Sequence, residues 1–142
     1  MFKKTVLLLL LTGALFINGD VDAQVYIQPG TSVYIHTGAQ VIIRSDFTTN
    51  SDISGDGKLI LNGTSVQHCT TNGFSLNNLS ISNAAGVIID DNLKINNQLE
   101  FLEGKLQLND EVLILGTAAD ISGHGSGKFI ETNGTGYVQK NI

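Results

Sequence analysis

The segment from Asp52 to Gly57 has the residue types and spacing that begin a calcium-binding loop. Side chains with oxygen atoms stand at alternate positions, Asp52, Ser54 and Asp56, and Gly57 follows at the place of the sharp turn. Calcium takes about six to eight oxygen ligands, and such a loop normally ends with a bidentate glutamate at its twelfth position. That position is Gly63 here. The segment is therefore a calcium candidate with an incomplete ligand set, and we prefer to interpret it as a polar corner between strands.

Acidic side chains are a second set of residues that could do chemistry, because pairs of carboxylates hydrolyse glycosidic bonds. Six of them follow one another in the second half of the chain: Asp90, Asp91, Glu100, Glu103, Asp110 and Glu111. Asp90 and Asp110 stand in turn-like contexts, and Arg44 is the only arginine available to stabilise the anion of a lyase reaction. We therefore expect no enzymatic activity, with a fragment of a polysaccharide-degrading enzyme as the alternative.

Aromatic residues offer a third kind of chemistry, the stacking of rings on sugars. Tyr26 and Tyr34 are close in sequence, and each is the middle residue of an apolar-x-apolar triplet. They are candidates for glycan stacking, and the competing interpretation is that they are ordinary solvent-facing strand residues.

The three histidines, at positions 36, 68 and 124, share no metal-binding spacing. We therefore predict neither a zinc site nor a cofactor that His36, His68 and His124 would hold.

These residues must be positioned by β-strands, because apolar-x-apolar triplets recur along the whole chain. Alternation with a period of two over about three to five residues is typical of a strand that buries one face. No stretch has the spacing of an amphipathic helix, and Gly, Asn, Ser and Thr fill the segments between triplets. The chain is therefore predicted to be all-β. The triplets begin at residues 25, 33, 41, 59, 79, 87, 93, 99, 106 and 112.

The spacing of the triplets indicates how the strands are arranged. Where they are regular, successive triplets begin 6 to 8 residues apart, whereas a meander of hairpins needs roughly 8 to 12. Short and uniform strands are typical of a solenoid with three strands in each rung of about 20 to 25 residues. We predict a right-handed parallel β-helix of about five short rungs, ~24 Å long at ~4.8 Å per rung. An antiparallel β-sandwich is the alternative.

Two internal similarities in the sequence support a repeat. The sequence Asp-Ile-Ser-Gly at 52–55 returns at 120–123, and this offset corresponds to about three rungs. Four phenylalanines recur at nearly equal intervals, and we expect them to stack inside the helix: Phe47, Phe74, Phe101 and Phe129. Residues 24–30 are expected to cover the first rung, because the exposed end of a solenoid needs a cap.

Residues 1–23 have the three parts of a secretory signal peptide. Two lysines form the positive start, residues 5–17 form the apolar run, and Val21 and Ala23 are the small residues before the cleavage point. The apolar run is shorter than the roughly 20 residues that cross a bilayer. We therefore expect an exported protein with no membrane span after cleavage.

The remaining chain, residues 24–142, is long enough for one β-solenoid domain and too short for two. The full sequence has 8 Lys and Arg against 13 Asp and Glu, a net charge of −5, which argues against nucleic acid as a partner. The single cysteine, Cys69, excludes an intrachain disulfide, and we interpret it as a small buried residue. The apolar segment 137–142 would end the solenoid without a cap, so truncation at the C-terminus is a further expectation.

Several segments share a pattern of short β-branched runs beside glycine: Gly30–Ile35, Gly38–Ile43, the two Asp-Ile-Ser-Gly blocks and Gly127–Gly134. Together they resemble the N-terminal repeat region of secreted surface proteins of the Bacteroidetes type. Proteins of that kind are typically large, β-helical or adhesin-like, and carry a C-terminal β-sandwich signal for type IX secretion, which has no counterpart in this sequence. The resemblance implies a secreted or cell-surface location, with the periplasm as the alternative, and supplies no catalytic residues.

Together these observations predict an exported, non-enzymatic β-solenoid module of structural or adhesion type. Its partners would be surface glycans or other cell-surface proteins, bound by a repetitive outer face of Thr, Asn and Ser side chains. A carbohydrate-binding module that uses Tyr26 and Tyr34 is the alternative, followed by a fragment of a polysaccharide-degrading β-helix enzyme.

Overall fold

The computed structural model describes residues 24–142, so the signal peptide predicted for residues 1–23 lies outside the described residues. Within the described range the regular elements are all β-strands. In chain order they are β1 (Val25–Ile27), β2 (Val33–Tyr34), β3 (Gln40–Ile43), β4 (Phe47–Thr49), β5 (Ile53–Ser54), β6 (Lys58–Leu61), β7 (Gln67–Thr70), β8 (Ser75–Ser82), β9 (Val87–Ile89), β10 (Leu93–Glu103), β11 (Leu106–Gln107), β12 (Val112–Leu115), β13 (Asp120–Ser122), β14 (Ile130–Glu131) and β15 (Tyr137–Lys140).

The strands form three faces around one core. Face 1 consists of β1, β4, β7, β9, β11 and β14 in that order. Face 2 consists of β2, β5, the first parts of β8 and β10, then β12 and β15. Face 3 consists of β3, β6, the second parts of β8 and β10, then β13. The two long strands therefore bend through the corner between faces 2 and 3, with a register shift after Ile95.

Pairing between the named strands is parallel throughout, and each strand pairs with the equivalent strand one turn earlier or later. The turns vary in length: Val87 stands opposite Leu106, and Leu106 stands opposite Ile130, so the later turn is the longer one. The chain is a right-handed parallel β-helix of about 5 turns, as the triplet spacing predicted. The alternative of an antiparallel β-sandwich is wrong, because its neighbouring strands would run in opposite directions.

Inward side chains of successive rungs stack into ladders that fill the core. On face 3, Leu59, Leu79 and Leu99 are opposite one another and buried. On face 1, Phe47 is opposite Cys69, and both are fully buried. Each ladder excludes water from apolar surface, which contributes roughly 25 cal/mol for each Å² removed from solvent. The stacked ladders therefore hold the rungs together as one hydrophobic unit.

Burial determines the reactivity of the Cys69 thiol. Its side chain lies inside face 1, and removal from water raises the pKa of the thiol to about 12. A thiol that stays protonated at neutral pH is a poor nucleophile. The interpretation of Cys69 as a small buried residue is confirmed.

The two Asp-Ile-Ser-Gly segments form similar local turns, but they do not occupy equivalent positions in their rungs. Residues 52–55 lead out of β5 on face 2, whereas residues 120–123 form β13 and its turn on face 3. The offset is therefore three rungs and one face: the expected number of rungs agrees, but the two segments do not occupy the same position in the rung. Both glycines have positive φ, 93° at Gly55 and 70° at Gly123, and a Cβ at either would overlap a carbonyl oxygen of the preceding rung. The repeated sequence thus serves the same close approach between rungs.

The expected stack of phenylalanines is also wrong. Phe47 and Phe101 are buried, but they lie on face 1 and face 3. Phe74 and Phe129 lie between strands and are 37% and 39% exposed. The interval between successive phenylalanines exceeds the length of a rung, so each phenylalanine falls at a different point of the turn.

The expected cap formed by residues 24–30 is wrong as well, because this segment supplies β1 of the first rung.

Truncation of a ladder residue tests the packing of the core. Leu99→Ala should lower the free energy of unfolding by about 2 to 5 kcal/mol, because it removes a fully buried side chain from the middle of a ladder. Leu102→Ala is the matched control in the same strand, since Leu102 is 49% exposed. Urea denaturation followed by circular dichroism measures both. Equal losses in the two variants would contradict the assignment of inward and outward positions.

A pair of glycines tests the spacing between rungs. Gly104 and Gly73 have similar positive φ, 80° and 83°, but a Cβ on Gly104 would overlap the carbonyl oxygen of Asn83, whereas one on Gly73 meets nothing within 4 Å. Both alanine variants carry the penalty of about 1 to 2 kcal/mol for a side chain in the left-handed backbone region. Gly104→Ala should cost about 2 kcal/mol more, because the rungs must also separate. Urea unfolding of both variants gives the difference, and its absence would count against the observed contact between rungs.

Candidate functional site

Face 1 brings four residues from successive rungs into one outward column. Tyr26 stands opposite Thr48, and Thr48 opposite Thr70. Asp90 follows next, one residue beyond the pairing of Cys69 with Ile89. The four side chains point outward because alternate residues on these strands, such as Phe47 and Cys69, fill the core. We call these four residues the face 1 column.

A second outward row lies beside the face 1 column and contributes Gln24, Asp46 and His68. The Gln24 Nε2 amide donates to Thr48 Oγ1 at 2.7 Å, so this row and the column are hydrogen-bonded to each other. The Asp46 Oδ1 atom accepts the backbone N–H of His68 at 2.8 Å. Together the two rows form a surface across the first four rungs, with Tyr26 at one end and Asp90 at the other. It is mostly polar, but the second row ends at the half-buried Ile88, opposite His68.

His68 and Asp90 form a contact pair between the third and fourth rungs. The His68 Nδ1 atom lies 2.8 Å from Asp90 Oδ1 and 3.1 Å from Asp90 Oδ2. The hydrogen bond with Asp90 is the main cause that raises the pKa of His68; partial burial opposes it, and the charges of Asp90 and Asp46 add to it. Thr70 Oγ1 also donates to Asp90 Oδ2 at 3.4 Å. The carboxylate is thereby held in place while its outer side stays exposed.

The tyrosines suggested for glycan stacking lie in the same rung on different faces. Tyr26 in β1 faces outward on face 1 and is 55% exposed, and Tyr34 in β2 faces outward on face 2 and is 59% exposed. Their rings therefore do not share one platform. The Tyr34 ring packs edge-on against His36, with ring centroids 4.8 Å apart. Tyr137 is also exposed, at the far end of face 2.

The calcium candidate lies on β5 and the turn after it, and two of its three side chains bond to neighbouring rungs. Asp52 Oδ1 accepts the backbone N–H of Ser75 at 2.7 Å and its hydroxyl at 2.9 Å. These hydrogen bonds lower the pKa of Asp52, assisted by the charge of Lys94 and opposed by slight burial. Ser54 Oγ donates in the other direction, to the Val33 carbonyl, at 3.1 Å. Asp56 is exposed. The interpretation of this segment as a polar corner, and the weaker calcium candidate, both stay predictions.

The acids considered for catalysis are distributed over different faces and corners. Asp90 lies on face 1. Glu100 lies on face 3, where its Oε2 accepts Lys58 Nζ at 2.7 Å and Ser80 Oγ at 2.8 Å. Bonding to Lys58 is the main cause that lowers the pKa of Glu100. Asp91 and Asp110 lie in the corner between faces 1 and 2, where they accept the backbone N–H groups of Thr71 and Thr135 respectively. Glu103 and Glu111 are the remaining two members of the set.

A buried polar network at the corner between faces 3 and 1 has no counterpart in the sequence-based predictions. Gln67 and Asn83 are both buried, and Asn83 Nδ2 donates to Gln67 Oε1 at 2.9 Å. Gln67 Nε2 in turn donates to the carbonyl oxygens of Ile43 and Ser45. Buried side-chain polar atoms in the described part of the chain all have a hydrogen-bond partner. The network satisfies turn backbone, so its role is to hold the corner.

Two specific features are at issue in the part of the chain that the structure describes: a cluster of metal ligands and a membrane-spanning helix. In residues 24–142 no three His, Cys, Asp or Glu side chains come together in a group that could hold a metal ion. Among the same residues there is no helix of the length and apolar character needed to span a bilayer.

Comparisons with known proteins add no family. The chain matches no family model, no curated protein and no solved structure. The geometry of faces 1 to 3 is therefore the basis for a functional proposal.

The His68–Asp90 pair predicts a direction of pH dependence. Because the pKa of His68 is raised in the folded state, its contribution to stability is complete below 6.5, the ordinary histidine value, and is lost as the pH rises through the folded-state value. Wild type should therefore lose stability between about pH 6 and 8 more than Asp90→Asn does. Urea midpoints measured across this range test the sign, and an identical pH profile for the two proteins would contradict it.

Proposed function

We propose that the protein is an exported, non-enzymatic β-solenoid module of structural or adhesion type, belonging to a secreted or cell-surface protein. The observation that carries the proposal is the bonding of the outward polar side chains. Most of those described above form hydrogen bonds to the backbone or to side chains one rung away. Asn96, for example, donates to Asn77 at 3.1 Å on face 2. Such a surface stabilises the stack and presents the same polar groups repeatedly.

Export is the second part of the proposal, supported by the sequence of residues 1–23 and by the resemblance to surface proteins of the Bacteroidetes type. A parallel β-helix suits this role because each rung contacts only its neighbours, so an extended shape needs no large globular core. The partners we propose are surface glycans or other cell-surface proteins.

Carbohydrate binding is the second candidate function, favoured by the exposed ring of Tyr26 beside Thr48. An aromatic ring next to hydroxyl and carboxylate groups can combine stacking with hydrogen bonds to sugar hydroxyls. Polysaccharide cleavage is less well supported, because the acids of the catalytic hypothesis are distributed over different surfaces and Asp91, Glu100 and Asp110 are engaged by neighbouring rungs.

Fractionation of the native source tests the proposed function. We expect the product to begin at Gln24 and to be found in the medium or on the cell surface, as N-terminal sequencing and intact mass of each cell fraction would show. A cytoplasmic product that retains residues 1–23 would overturn the exported role. Release of reducing ends or unsaturated sugars from neutral or acidic polysaccharides would overturn the non-enzymatic role.

A further inference from the structure

We propose that face 1 binds an extended chain of neutral sugars, which lies along the face 1 column from Tyr26 to Asp90. The inference rests on the adhesion role proposed above and names its ligand class and its binding surface. It selects one tyrosine of the two suggested by the sequence, and it adds Thr48, Thr70 and Asp90 as the polar partners.

The ring of Tyr26 is the stacking element. Its side chain is 55% exposed, and among the described residues no aromatic ring or cation packs against it. The ring of Tyr34 is similarly exposed, but it packs edge-on against His36. An aromatic ring with a free face offers the apolar surface that the C–H groups of a sugar ring cover. Of these two rings, Tyr26 is therefore the better stacking platform.

The spacing of the column suits a polymer. Adjacent parallel strands are ~4.8 Å apart, which is close to the length of one hexose unit in an extended chain. Tyr26, Thr48, Thr70 and Asp90 occupy four successive rungs, so each sugar would meet one of these side chains. The threonine hydroxyls donate and accept, and the exposed side of Asp90 accepts from sugar hydroxyls. Charge-assisted hydrogen bonds of this kind are stronger than neutral ones.

The charge of the surface selects neutral over anionic chains. Asp46 and Asp90 lie on this part of face 1, and His68 between them is the cationic partner of Asp90 only when protonated. Lys105, which directly precedes β11, is further along and is paired with Glu131 at 3.0 Å. Arg44 is exposed and precedes β4, so it is the cation nearest in sequence to Asp46. A polyanionic glycan would meet like charges at Asp46 and Asp90, which weakens binding.

The other two faces are less suited because their side chains bond to one another. On face 2, Asn96 Nδ2 donates to both Ser75 Oγ and Asn77 Oδ1. On face 3, Lys58 reaches across one rung to Glu100, and Ser80 beneath it is buried. Sugar hydroxyls would have to replace these bonds. The face 1 column is also bonded between rungs, through His68 and Thr70 to Asp90, but the Tyr26 ring and the outer side of the Asp90 carboxylate stay exposed.

Affinity electrophoresis of the purified protein in gels containing mannan, xylan or mixed-linkage β-glucan tests the inference, with polygalacturonate as the anionic comparison. We expect retardation by at least one neutral polysaccharide and none by polygalacturonate. Tyr26→Ala should weaken binding about tenfold or more, as truncation of an aromatic anchor does. Tyr26→Phe should keep most of the affinity because the ring remains.

Tyr34→Ala is the matched control, since Tyr34 is in the same rung with similar exposure on another face. The double variant Thr48→Val and Thr70→Val, which preserves shape while removing both hydroxyls, should also lower affinity; circular dichroism confirms folding. Retardation by none of the neutral polymers, preference for polygalacturonate, or equal loss in Tyr26→Ala and Tyr34→Ala would overturn the inference. These outcomes are independent of export, because the protein's location in the cell is measured separately.

Discussion

Parallel hydrogen bonding between successive rungs is the constraint on which the rest of the structure depends. A rung has no partner within itself, so its backbone groups must be satisfied by the rungs before and after it. The corners then need residues that allow close approach, such as Gly55 and Gly123, and side chains that accept the remaining backbone N–H groups, such as Asp52 and Asp110. Much of the unusual Gly, Asn and Asp content follows from this requirement.

The same constraint explains why the candidate site is a surface and not a pocket. Strands stacked in register place equivalent side chains of different rungs in columns, and outward columns are necessarily flat and repetitive. Function on such a scaffold depends on which residue types share a column. On face 1 this brings Tyr26 and Asp90 to the two ends of one polar surface, and it places His68 beside Asp90, although the two residues are distant in sequence.

Much of the fold could be predicted because alternation and spacing act locally. All ten predicted triplets overlap strands, and the short intervals between them indicated a parallel solenoid. Other strands were missed because their inward positions are polar or unusual. In β7 the buried residues are Gln67 and Cys69, so no apolar-x-apolar signal marks this strand. Gln67 is stable there because backbone carbonyl groups of the neighbouring corner accept its amide.

By itself, the sequence determined that the chain is all-β, that its strands are short, and that they repeat at the length of a solenoid rung. Only the tertiary structure decided which residues share a face. Rungs differ in length because their corners differ, so equal spacing in sequence does not mean equal position: the evenly spaced phenylalanines separate, and Tyr26 and Tyr34 lie on different faces. The physical reason is that the register is set by hydrogen bonds and core contacts between rungs, which are distant in sequence, whereas a sequence pattern reports only what neighbouring residues prefer.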